Sequence, residues 1–103
     1  MQQIADRDAL LARRLALVAN VSALTAEALR LNQKRAGVEM DVLRLELEIG
    51  RGGASAQLVQ DLHEAEERAA AVMREGATCE QRIAAAEGEV EDVDLSLAAT
   101  VGN

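Results

Sequence analysis

Proline, phenylalanine, tyrosine and tryptophan are all missing from the 103 residues, and cysteine and histidine occur once each. Without proline, nothing in the chain removes a backbone donor or clashes with the preceding turn, so helices can run long. Without aromatic rings, the chain lacks the large side chains that usually anchor a compact core. It also lacks the stacking platforms of single-strand nucleic-acid binders. One cysteine, Cys79, excludes an internal disulfide and fits a reducing compartment. A net charge of −7 disfavours a surface that tracks phosphates. No uncharged stretch approaches the roughly 18–20 apolar residues of a membrane span. The opening Met1-Gln2-Gln3-Ile4-Ala5-Asp6 has neither the basic nor the apolar region of a signal peptide. The expectation is a cytoplasmic protein that engages neither nucleic acid nor membrane.

Groups for chemistry are equally sparse. His63 has only Glu64, Glu66 and Glu67 nearby, without the further His or Cys a zinc site wants. Cys79 has no histidine at a spacing that would make it a nucleophile, and reads as a small apolar residue. The acidic run Glu87, Glu89, Glu91, Asp92 and Asp94 lacks the calcium-loop pattern and reads as a solvated helix face. Gly50-Arg51-Gly52-Gly53 lacks the Lys-Ser/Thr of a phosphate loop. No catalytic, cofactor, metal or small-molecule substrate site is expected.

What is present is aliphatic and charged: 50% hydrophobic residues and 28% charged ones, with 21 Ala and 14 Leu. Such a mixture of good helix formers is close to coiled-coil composition. Heptads confirm the type. In the first arm Leu10, Leu17, Leu24, Leu31, Val38 and Leu45 take d, with Arg14, Val21, Ala28, Arg35, Val42 and Ile49 at a. In the second, Leu58, Ala65, Val72, Cys79, Ala86 and Val93 take d, with Leu62, Ala69, Gly76, Ile83, Val90 and Leu97 at a. The phase never slips, which marks a coiled-coil seam.

The three glycines of Gly50–Gly53 are the one strong break, and Ser55 is placed to cap a second helix. A connection this short makes its flanking helices antiparallel neighbours. The predicted fold is therefore all-α: a single domain over 1–103, an antiparallel two-helix coiled-coil hairpin. Arm 1 spans about 3–49, the turn 50–54 and arm 2 about 55–99. The hairpin is expected to complete a larger bundle by dimerisation or partner binding.

Folding at the glycines sets Ile49 against Leu58, Leu45 against Leu62, Leu31 against Gly76 and Leu10 against Leu97. Gly76 would then make room for the Leu31 knob, with a helix break at Gly76-Ala77-Thr78 as the alternative. One flank aligns Asp41 with Arg68, Lys34 with Glu75 and Glu27 with Arg82, whereas Glu48 meets Asp61 and Glu39 meets Glu66. The fold would also bring the basic Arg7, Arg13 and Arg14 toward the acidic run at 87–94.

One pattern asks for a function. Leu11, Leu15, Val18, Leu29, Met40, Leu43 and Leu47, with Ile4, lie beside the seam at e, b and f positions. A two-helix seam buries mainly a and d, so this second apolar stripe is left for a partner. The expected function is that of a non-enzymatic coiled-coil adaptor or assembly protein, binding another protein's helices, a second copy of itself, or both. The alternative is a small helical chaperone or cofactor-like client binder. The architecture resembles export-apparatus stalk proteins and tubulin-binding cofactor A, and Thr78–Ala86 is similar to a segment of the latter. No tryptophan is available for the Trp-x-Gly turn of secreted hairpin pairs.

Overall fold

The computed structural model describes residues 2–101. Two helices account for nearly all of them: α1, Gln2–Gly52, and α2, Ala56–Val101. The chain is an all-α helical hairpin, with no strand among the described residues.

Each end of the turn is closed by a recognisable cap. The Gly53 N–H donates to the Ile49 carbonyl at 2.8 Å while Gly53 takes φ +87°. That is the left-handed cap which ends a helix by satisfying one of its last carbonyls. Arg51 lies in the final turn, where a cation complements the helix dipole. Across the turn the Leu58 N–H donates to Ser55 Oγ at 3.1 Å, and the Val59 N–H donates to the Ser55 carbonyl at 3.0 Å. Ser55 is thus the N-cap that the sequence suggests.

α1 continues through Gly50, Arg51 and Gly52, further than a glycine-rich turn at 50–54 would have it. Glycine in a helix costs about 1 kcal/mol relative to Ala, a penalty that a long hydrogen-bonded ladder absorbs. Only Gly53 uses the backbone freedom the run offers. Nor does Gly76-Ala77-Thr78 break α2, which is helical throughout.

The chain packs as two compact units. Unit 1 joins residues 1–27 to 79–103, and unit 2 comprises 28–78. In unit 2 the buried residues are Leu31, Val38 and Leu45 of α1 with Ala65 and Val72 of α2. In unit 1 they are Leu17 of α1 with Cys79, Ala86 and Val93 of α2. Every one is a heptad d residue, and the a residues are half-buried or, at Arg35, exposed.

Gly76 departs from expectation. A methyl group built on it meets nothing within 4 Å, so no close backbone contact requires glycine there. The Leu31 knob is buried without filling the space over Gly76.

Candidate interaction face

In unit 1, Arg14 Nε donates to Asp94 Oδ1 at 2.6 Å, and Arg13 Nη2 lies 3.5 Å from Glu89 Oε1. The hydrogen bond to Asp94, then its charge, raises the Arg14 pKa above its ordinary value. Arg7 Nη1 donates to Thr100 Oγ1 at 3.4 Å, one step beyond Leu10 and Leu97 in the register read from the heptads. The basic and acidic clusters of the sequence therefore meet. Cys79 Sγ, buried, donates to the Leu24 carbonyl at 3.3 Å, a weak bond that leaves the thiol a packed side chain.

Unit 2 corrects the expected flank. Asp41 does not reach Arg68, and Lys34 does not reach Glu75, within ion-pair distance among the described residues. Exposed pairs of this kind contribute well under about 1 kcal/mol, too little to hold two long side chains in one geometry. The unfavourable alignments are relieved within α1 instead. Glu39 accepts from Arg35 at 2.8 Å, and Glu48 lies 3.3 Å from Arg44. Both carboxylates that the register sets against acidic residues of α2 thus have a cation one turn away.

His63 Nε2 sits 3.2 Å from Glu67 Oε1 on an exposed face of α2. No three His, Cys, Asp or Glu side chains gather as a metal would require among the described residues.

The apolar stripe is where large side chains face solvent. In unit 1, Leu11 is 45% exposed, Leu15 73% and Val18 41%, with Ile4 at 67%. In unit 2, Leu29 is 60% exposed, Met40 66%, Leu43 50% and Leu47 49%. Met40, Leu43 and Leu47 floor a shallow groove of about 390 Å³, rimmed by Asp41, Arg44, Glu48 and Arg51.

Among the described residues of α2, Val59, Met73 and Leu95 are further large apolar side chains that are exposed. The sequence reading passed over them. Their e and f heptad positions were the available signal, but they stand singly, and scattered exposed aliphatics are ordinary on a protein surface. The α1 residues differ by recurring on one face.

α1 also contains, within Asp6–Gly52, an 18-residue window of mean hydropathy 1.3. Its uncharged part, residues 15–26 between Arg14 and Glu27, spans about 18 Å as a helix, against a hydrocarbon core about 30 Å thick. The apolar character of this window comes in part from the exposed stripe.

Comparison with protein families, with curated proteins and with solved structures yields no match for this chain.

Proposed function

We propose that the protein is a non-enzymatic coiled-coil adaptor or assembly protein whose docking surface is the exposed apolar face of α1. One observation carries this reading: seven aliphatic side chains of α1 from Leu11 to Leu47, three in unit 1 and four in unit 2, are each between 41% and 73% exposed. Clustered exposed aliphatic side chains, as at Leu11, Leu15 and Val18 and again at Met40, Leu43 and Leu47, are the kind of surface that binds another protein. The thinness of the interior agrees, since only heptad d residues are buried. A helix partner would lay its own apolar stripe along α1, its side chains entering gaps such as the one over Met40, Leu43 and Leu47.

The test is capture from the native host with the parent chain and with a Leu15→Glu/Leu29→Glu variant, bound proteins being identified by mass spectrometry. Neither residue is at a seam position, so circular dichroism should report unchanged helicity. The variant should lose whatever the parent assembles with, its own copies included. If the variant assembles as the parent does, the face is not the docking surface.

A further inference from the structure

Within unit 2, the outer face of α1 carries a second heptad of its own. Leu29, Gln33, Ala36, Met40, Leu43 and Leu47 follow one another at steps of four, three, four, three and four residues. All six are exposed, and Gly50 continues the alternation three residues on. In the labels of the α1–α2 seam they are b and f positions, on the side of the helix away from a and d. A helix laid along them lies across α1 from α2.

Charge lines the two edges of this strip differently. Relabelled so that Gln33, Met40 and Leu47 take a, the strip has Glu39 and Glu46 at g and Arg44 and Arg51 at e. One edge is acidic and the other basic, and no charged residue stands on the strip itself. In a parallel, in-register pair of coiled-coil helices, each g residue faces the e residue five positions on in the other helix. Glu39 then faces Arg44 and Glu46 faces Arg51, twice over by symmetry. An antiparallel pair sets g against g and e against e, which gathers glutamates on one side and arginines on the other.

We infer that the occupant of this strip is a second copy of the chain, its α1 parallel and in register. The inference rests on the docking role proposed above and gives it a partner, an orientation and a register. In sequence, Leu15 takes d two heptads earlier in the same phase; the pairing argued here uses residues of unit 2 alone. Leu29, Met40, Leu43 and Leu47 each meet their own counterparts. Gln33 meets Gln33, and a polar residue at a single a position penalises other registers, where its amide would face an aliphatic side chain. Glu46 and Arg51 are exposed and make no side-chain ion pair within the chain among the described residues. Glu39 and Arg44 already pair with Arg35 and Glu48 on α1, so the contact of Glu46 with Arg51 is the one without a competitor.

Sedimentation equilibrium on the full chain should give about twice its 11.0 kDa. Arg44→Glu/Arg51→Glu makes both edges acidic, and Glu39→Lys/Glu46→Lys makes both basic. Each variant alone should self-associate about tenfold more weakly or worse, with helicity unchanged by circular dichroism. Their equimolar mixture should restore a dimer holding one of each. Orientation is read by cross-linking on a Cys79→Ala background. Gln33→Cys and Gly50→Cys, made separately, should each oxidise to a covalent dimer, because parallel register brings every strip residue to its own copy. The two positions lie about 25 Å apart along the helix, so an antiparallel pair brings at most one of them to its copy. Cross-linking at only one position, or self-association indifferent to both charge variants, would overturn the proposal. A parent mass of one chain would also overturn it, while leaving the docking role to be decided by capture from the host.

Discussion

At the scale of single residues, glycines that look alike in sequence have opposite consequences. Gly53 holds φ +87°, a conformation that costs a residue with a Cβ about 1–2 kcal/mol. Gly53→Ala should accordingly lower stability by about that amount in chemical denaturation. Gly50 and Gly76 are helical and have open space where a methyl would go. Alanine at either should raise stability by about 0.5–1 kcal/mol, because the unfolded chain loses freedom and no neighbour must move. Gly76→Ala is the sharper case. A loss of stability there would mean that the backbones approach at Leu31 after all. Ser55→Ala removes the acceptor for the Leu58 N–H and should cost about 0.5–2 kcal/mol, read from the same denaturation curves.

At the scale of the elements, the two helices and their pairing were legible because their signals are redundant. Each arm repeats the same heptad through six cycles, so one misplaced residue, such as Arg35 at an exposed a position, does not spoil the phase. Helix ends carry no such redundancy. The sequence could not tell which of Gly50, Gly52 and Gly53 would turn the chain, because all three tolerate positive φ and only hydrogen bonding from Gly53 to Ile49 selects one. Flank charges were legible only in part. The expected pairs of Asp41 and Lys34 with α2 compete with solvent, whereas Arg13 and Arg14 face a dense acidic run and close on Glu89 and Asp94. Both of these pairs are about half exposed, with side-chain exposures of 43–58%. A double-mutant cycle on Arg14→Ala and Asp94→Ala should therefore yield a small coupling that shrinks as salt is added. A coupling that is insensitive to salt would contradict the exposed geometry.

At the scale of the whole molecule, the decisive fact is what the seam leaves uncovered. Among the described residues burial is confined to heptad d positions and no large side chain is fully buried, while α1 keeps several leucines in water. Fully burying a Leu, Val or Met side chain contributes about 1.5–3 kcal/mol, and the exposed fractions here leave roughly half of that still to be gained at each position. Summed over the face, this exceeds what one or two stray leucines could offer toward the entropy of association. The stripe itself was legible from the heptad positions of its residues. What the spacing lacked was the exposure of each residue, which separates a docking face from a second core. The most direct measurement is quantitative capture from the native host, its own copies included, with two single variants, Leu15→Glu on α1 and Leu95→Glu on α2. The parent leucines are matched in exposure, 73% and 72%, so each change removes the same kind of surface. Docking on α1 predicts that Leu15→Glu weakens association with whatever the parent captures at least tenfold, about 1.4 kcal/mol or more, while Leu95→Glu leaves it unchanged. Equal effects from the two variants, or an effect from Leu95→Glu alone, would contradict the assignment of the α1 face as the interface.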